Sequence, residues 1–427
     1  MNEIVKKFGG TSVNNIRLLE DIINCKDVVV VSAPGKRSVY DEKVTDLLDR
    51  IYMKLHNKQF VGNDWAMVKD RFRDLVIASK ENINLTPYFE EIESYFSPDI
   101  DREYLLSRGE FLTAVIFSRI FGLKMVDAGD IIKFKNGKFD MDSSVPLIKK
   151  MVVANTVVPG FYGKQNDKIK LLGRGGSDVT GAIIASALQS PEYQNFGEQD
   201  GVKMTLPKIY PHSRRIEKIS FDNMQEFAQS GADILHPDSV KIAKNGNIPI
   251  KVKSFYAPYK YTTTVFKEDE LRYVKAMGVR EKSVKFVLDA KLFATNFADI
   301  INFLKDNGIT FQETINKNGK LELFGCMDKS FDQNNMQKIE NDFLQKFNAK
   351  ISLQSTSEII LVIGKSEEKY QLYKILKHYF TANGFEVDVV NTNQGLAVVV
   401  EPYNLKFFYK NIYQEFVDSF ANYKPVK

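Results

Sequence analysis

Three short glycine-bearing segments hold the residues best suited to chemistry. Lys7-Phe8-Gly9-Gly10-Thr11-Ser12 stands between a β-branched run and an apolar stripe at helical spacing. Paired glycines let a backbone approach a ligand closely, and amides that open a helix attract phosphate. Lys7 adds a positive point charge, although it precedes the glycines rather than following them as in the common phosphate loop. Read alone, Gly9-Gly10 is equally well a structural turn. The second segment, Leu172-Gly173-Arg174-Gly175-Gly176-Ser177-Asp178, again lies between a strand pattern and a helical one. Three glycines cost more conformational entropy than a mere turn requires. Arg174 offers a planar fork for a carboxylate or phosphate, while the plain role of Asp178 is to cap the following helix. The third, Ser107-Arg108-Gly109-Glu110, falls within a long helical pattern. A glycine there costs about 1 kcal/mol against alanine, so either the helix starts at that point or something approaches it closely. Glu110 is suited to gripping an ammonium group.

These segments need a scaffold, and the pattern around them supplies one. From residue 1 to about 255, short Val/Ile runs alternate with helical stripes. Ile4-Val5-Lys6-Lys7-Phe8, Val28-Val29-Val30-Val31, Lys124-Met125-Val126-Asp127, Thr156-Val157-Val158-Pro159 and Ile248-Pro249-Ile250-Lys251-Val252 read as buried strands. Continuous apolar runs between helices predict an α/β domain whose mainly parallel sheet is covered on both faces. Ligands then bind where loops leave the carboxyl ends of the strands. The stretch 253–282 reads as a connection. Beyond it, a strand-helix-strand-strand rhythm of about 70 residues occurs twice, which predicts two small α+β modules in tandem.

Composition narrows the classes. The chain has 427 residues, 44% hydrophobic and 26% charged, which is ordinary globular usage. Its net charge is +5, from 59 Lys+Arg against 54 Asp+Glu, too small and too evenly spread to argue for nucleic acid or a membrane surface. The basic stretch 203–218, with Lys208, Arg214 and Arg215, reads as a solvated loop or as a place that meets phosphates. The two cysteines, Cys25 and Cys326, lack neighbouring ligands, and the four histidines are far apart in sequence, so neither a disulfide framework nor a metal centre is expected. No apolar run approaches the ~20 residues of a membrane span, and the strand-like start leaves no signal peptide. The expectation is a cytoplasmic protein.

Together the segments resemble the aspartokinases of the amino-acid kinase superfamily. The resemblance covers nearly the whole chain: the three motifs fall in the family's order, with Ser32-Ala33-Pro34-Gly35-Lys36, Val44-Thr45-Asp46-Leu47-Leu48, Pro159-Gly160-Phe161-Tyr162-Gly163 and Leu235-His236-Pro237 as further landmarks. It implies an amino-acid-kinase catalytic domain over 1–280 and ACT-like regulatory modules over 281–355 and 356–427. It implies ATP-dependent phosphorylation of the side-chain carboxylate of L-aspartate to 4-phospho-L-aspartate, the first step towards lysine, threonine and methionine. By similarity, Lys7 stabilises the transferring phosphoryl group and Asp178 holds Lys7 in place. Arg174 binds a substrate carboxylate, Glu110 the ammonium, and Ser32 and Thr45 add hydrogen bonds. Lys7, Phe8, Gly9, Gly10, Gly175, Gly176, Ser177 and Lys208 border the nucleotide. Mg2+ arrives bound to ATP, with no protein metal site. A homodimer through the ACT-like modules is the implied assembly. The nucleotide side departs from the family: Trp-Thr-Asp-Val-x-Gly reads Phe196-Gly197-Glu198-Gln199-Asp200-Gly201, Asp-Pro-Arg reads Leu206-Pro207-Lys208, and Asp233 replaces a lysine. An amino-acid-binding, catalytically weak regulatory paralogue and a kinase with another carboxylate acceptor are the alternatives.

Overall fold

Val28–Val31 are wholly buried in their strand, as a sheet covered on both faces demands. A computed structural model describes residues 3–173, 175–232, 234–269, 274–317, 319–327, 333–363, 366–392 and 395–418. Two compact units are present: Met1–Val202 with Glu217–Phe221 and Asp233–Glu268, and Lys203–Ile216 with Asp222–Ala232 and Asp269–Lys427.

The eight-stranded main sheet of the first unit contains β1 (Ile4–Phe8), β2 (Asp27–Val31), β3 (Lys124–Met125), β4 (Thr156–Pro159), β5 (Tyr193–Gly197), β6 (Lys218–Ser220), β7 (Ile250–Ser254) and β8 (Thr262–Phe266). Their order is β6-β8-β7-β5-β1-β2-β4-β3. All pairs are parallel except β7 with β8. Register decides where the site forms. Phe8 pairs with Val31 and with Phe196, and Val31 pairs with Pro159. The carboxyl ends of four central strands are therefore level, and the loops after Phe8, Val31, Pro159 and Phe196 leave side by side.

Helices α1 (Val44–His56), α2 (Gly62–Ser79) and α3 (Arg102–Ile120) share one apolar core with Phe8, Val29 and Val31. Asp101 caps α3 by accepting from the Tyr104 amide. Helix α4 (Gly176–Leu188) is buried nearly throughout and packs beside α5 (Pro237–Gly246). The stretch 253–282 is more than a connection. It contains β8, which extends the first sheet, and the opening residues of a long strand in the second unit.

The second unit is built on one antiparallel sheet. Its strands are β9 (Ala276–Asp289), β10 (Ile309–Lys317), β11 (Lys320–Met327), β12 (Ser352–Val362), β13 (Asp388–Asn391) and β14 (Gly395–Val400), in the order β10-β11-β9-β12-β14-β13. The helices are α6 (Phe297–Asp306), α7 (Gln333–Phe347), α8 (Ser366–Ala382) and α9 (Leu405–Ile412). β9 and β12 pair along their length with a register shift between Arg280 and Ser283. This bulge separates the two halves, so the repeated modules share their central strands instead of following one another as beads. Val284, Phe286 and Leu288 meet Ile300, Phe303 and Phe343 in the core of the first module. The fully buried Tyr409 of α9 accepts from the Leu206 amide (3.0 Å) and donates to the Met277 carbonyl (2.7 Å).

Candidate active site

The level strand ends open onto a cavity of about 970 Å3 in the first unit. Lys7, Gly10, Ser32, Thr45, Glu110, Gly175, Gly176, Ser177 and Asp178 all line it. A smaller cavity of about 180 Å3 is lined by Gly9, Gly10, Thr11, Ser12, Asn195, Gly197 and Glu198 among others. Gly10 and Thr11 border both, so the first glycine loop is their common wall.

Close backbone approach explains the glycines. A Cβ built on Gly10 would stand 2.7 Å from both the Ala33 carbonyl oxygen and the Gly35 nitrogen, and one on Gly35 would meet the Gly10 carbonyl carbon at 2.8 Å. The Gly35 amide donates to the Gly10 carbonyl (3.0 Å), which locks the loops after β1 and β2 together. Gly109 lies mid-helix, so the helix does not start there. Its reason is the Ala33 methyl, 2.8 Å from where a Gly109 Cβ would sit. That fit lets the Ala33 amide reach the Glu110 carboxyl.

Asp178 departs from the capping role. Gly175, in the left-handed region at φ 75°, occupies the N-cap of α4. The Asp178 side chain instead gathers three donors: Lys7 Nζ (2.6 Å) and Asn195 Nδ2 (2.9 Å) on Oδ1, and the His236 amide (3.2 Å) on Oδ2. Lys7 and Asp178 are both mostly buried, where such charge-assisted bonds are strong. Sequence reasoning does not single out Asn195 as a member of the site. Its signal is a polar amide inside a buried parallel strand, a place where Val or Ile is usual. His236-Pro237 has the pattern of a helix start, and His236 Nδ1 does cap α5 by accepting from the Asp238 amide (3.2 Å).

Glu110 is fully desolvated, and burial pushes its carboxyl up to about 8, against the opposing pull of the Ala33 amide, Lys7 and Arg108. Its Oε2 has no hydrogen-bond partner. A buried, unsatisfied carboxyl oxygen facing a cavity is a site waiting for a donor. Arg108, also buried, donates to the Ser107 hydroxyl (2.9 Å) and lies over the rings of Tyr104 and Phe111 at 4.6 and 4.5 Å.

The Phe8 ring is fully buried and stacks on Phe196 at 5.1 Å, so its side chain supports the sheet. Lys208 belongs to the second unit. Arg174 and Asp233 lie outside the described residues.

The family model of the amino acid kinase family matches residues 2–254. This chain belongs to that family, among its aspartokinases. Aspartokinase 2 of Arabidopsis thaliana chloroplasts is 24% identical over 91% of this chain and 78% of its own length. The structure of Clostridium acetobutylicum aspartate kinase superposes with a TM-score of 0.82 at 24% identity, covering 98% of this chain and all of that one. Escherichia coli aspartokinase III in complex with aspartate and ADP gives 0.77 at 18% identity, over 96% and 99%. The aspartokinase fold thus extends through both units, the antiparallel C-terminal sheet included. Among the described residues no helix is long and apolar enough to cross a membrane.

The loop bearing Ser32 and leading to Thr45 has its own anchor. The buried Arg71 guanidinium of α2 pairs with Asp41 (2.7 Å) and donates to the carbonyls of Gly35 and Glu42. Arg71→Ala leaves both carbonyls and much of the Asp41 charge uncompensated. The expected cost is about 2–4 kcal/mol in urea denaturation, with a raised KM for the acceptor and a smaller change in kcat.

Proposed function

We propose that the chain transfers the γ-phosphoryl group of ATP to the side-chain carboxylate of L-aspartate, giving 4-phospho-L-aspartate. The observation that carries this reading is a single cavity holding a buried ion-paired lysine, glycine loops at strand ends, and a buried carboxyl without a partner. Phosphoryl transfer needs charge neutralisation and alignment more than a covalent nucleophile. Lys7, fixed by Asp178, neutralises charge developing on the transferred group. Glu110 receives the substrate ammonium, and Ser32 and Thr45 orient the substrate. Arg174 is proposed for a substrate carboxylate on its sequence position alone. Gly9, Gly10, Gly175, Gly176 and Ser177 approach the phosphates, the rest of the nucleotide extending towards the cavity at Gly197 and Glu198. The E. coli relative was solved with aspartate and ADP bound, which supports both ligands.

The donors lining the cavity are amides, hydroxyls and the cations Lys7, Lys36, Lys43 and Arg102, which suits Mg2+ that enters on the nucleotide with its waters. When bound, it supplies charge neutralisation at the β- and γ-phosphates. A place at the head of lysine, threonine and methionine synthesis is what the resemblance to aspartokinases implies and is part of the proposal.

Aspartate-dependent ADP release with MgATP, measured beside glutamate and other carboxylates, tests the assignment. Turnover highest with aspartate is the expected result; faster turnover with another carboxylate reassigns the acceptor. One observation favours the second reading, a weak regulatory paralogue: Gly197 and Glu198 replace the family's Thr-Asp pair, and a side chain on Gly197 would meet nothing within 4 Å, so no side chain at that position contacts the nucleotide. Aspartate binding without aspartate-dependent turnover is the result that would select it.

A further inference from the structure

One row of the main sheet carries two polar side chains where aliphatic ones are usual. Lys7 of β1 pairs in register with Asn195 of β5, and Val30 of β2 and Val252 of β7 flank them. Residues in register on neighbouring strands project from the same face, so the Asn195 amide and the Lys7 ammonium stand side by side. Helix α4 packs on β1 and carries Asp178 in its first turn. Lys7 Nζ and Asn195 Nδ2 meet the same carboxylate oxygen, Oδ1, at 2.6 and 2.9 Å. Asn195 is only 5% exposed, and a buried amide costs free energy unless it is bonded. An ionised carboxylate only accepts, which turns the NH2 side of the amide towards Asp178.

Tyr193, two residues earlier on the same face of β5, braces that amide. Its hydroxyl accepts from Asn195 Nδ2 (3.2 Å) and donates to the Asp178 carbonyl (3.2 Å). The ring is fully buried; burial and the Asp178 charge push its phenol well above the ordinary range, so it remains a donor. Gly181 of α4 makes room for it, since a Cβ there would stand 2.6 Å from Tyr193 Cε2. The strand thus holds Asp178 by its backbone and its side chain at once. Among the described residues, Lys7 is the only cation paired with Asp178. The carboxylate's direction is therefore fixed by neutral donors, the Asn195 side chain and the His236 amide.

We propose that Asn195, braced by Tyr193, is a positioning residue: it fixes the Asp178 carboxylate and, through it, the direction in which Lys7 faces the transferring phosphoryl group. This rests on the reading of Lys7 given above. A lone ion pair leaves both side chains free to rotate together; an oxygen that must serve donors on two adjacent strands cannot.

The test is aspartate-dependent ADP release by the full chain, with Asn195→Leu, which matches the aliphatic neighbours in the row, and Tyr193→Phe, which removes only a hydroxyl. For Asn195→Leu, kcat about tenfold lower with KM for aspartate and for ATP within about threefold is the expected result. Tyr193→Phe should lower kcat about threefold. In a Lys7→Ala background Asn195→Leu should cost nothing further, because its effect passes through Lys7. A further loss of the same size in that background shows that the amide serves the fold at large and overturns the assignment. Unchanged kcat in both single variants overturns it too, as does a raised KM for ATP with kcat kept, which would make Asn195 a nucleotide contact. Crystal structures of the unaltered chain and of both variants give a readout that needs no turnover. Lys7 Nζ is expected to leave Asp178 Oδ1 when the amide is lost, and an ion pair kept in place in both variants overturns the proposal. Displacement of Lys7 in the variants, in a chain that shows no aspartate-dependent turnover even unaltered, would overturn the proposed function while supporting the positioning of Lys7 by Asn195.

Discussion

Replacing Lys7 with alanine is expected to lower kcat about a thousandfold while KM for aspartate stays within about threefold. A cation aimed at charge that develops only in the transition state stabilises that state selectively, and removing such a donor costs about 10²–10³ in kcat or more. For Lys7 the loss reaches the upper end because Asp178 stays behind. In the unaltered chain Lys7 sits 2.6 Å from Asp178, and Asn195 and the His236 amide complete the carboxylate's shell. Without Lys7, a mostly buried anion faces the phosphates, so like charges oppose each other where water screens them poorly. Asp178→Asn keeps the ammonium but frees it to wander, and about ten- to a hundredfold in kcat is the expected loss. The two substitutions act on one unit, so the double variant should be no slower than Lys7→Ala alone. Coupled ADP release at saturating MgATP measures all three. A Lys7→Ala variant that mainly raises KM for aspartate would show that Lys7 holds the acceptor and does not act on the transferring phosphoryl group.

The parts of this arrangement legible in the sequence are those set by local rules. Val/Ile runs between helical stripes specify the parallel sheet, and paired glycines at strand ends mark the loops that meet at Gly10 and Gly35. Roles that depend on partners distant in the chain are not legible. Asp178 has the sequence position of a cap, but Gly175 caps the helix and Asp178 turns to Lys7 and Asn195. Phe8 is adjacent to the chemistry in sequence, yet strand alternation sends its ring into the core while Lys7 faces the cavity. The segment Thr262-Thr263-Thr264-Val265-Phe266 has few apolar residues and reads as linker; pairing with both β6 and β7 makes it a strand. Nor can a linear reading divide this chain, because 203–216 and 222–232 belong with the C-terminal sheet. Tyr409, bonded to Leu206 and Met277, illustrates contacts that covalent order conceals.

Aspartate binding is expected to release a proton, with affinity rising up to tenfold per pH unit below pH 8 and levelling above it. Glu110 is the cause. Its carboxyl, ordinarily near 4.5, is held up to about 8 by burial, so at pH 7 most molecules carry it protonated. A protonated carboxyl cannot neutralise the substrate ammonium; binding selects the ionised form and expels the proton. Lys7 and Arg108, the cations acting on Glu110, favour that ionised form and so limit the cost. Calorimetry in buffers of different ionisation enthalpy counts the proton directly. The same group sets a stability trend in the absence of substrate. Between pH 4.5 and 8 the folded chain holds a proton that the unfolded chain has lost, so this group's contribution falls as pH rises through that window. Glu110→Gln should abolish both the proton release and the stability slope. It should also weaken aspartate binding by about ten- to a hundredfold, the worth of a hydrogen bond to a charged partner at about 1.5–3 kcal/mol. Unchanged proton release in Glu110→Gln would place the titrating group elsewhere. Unchanged affinity would mean that the ammonium is held by another acceptor, since a buried carboxyl lining this cavity and binding a cation cannot lose its charge without cost.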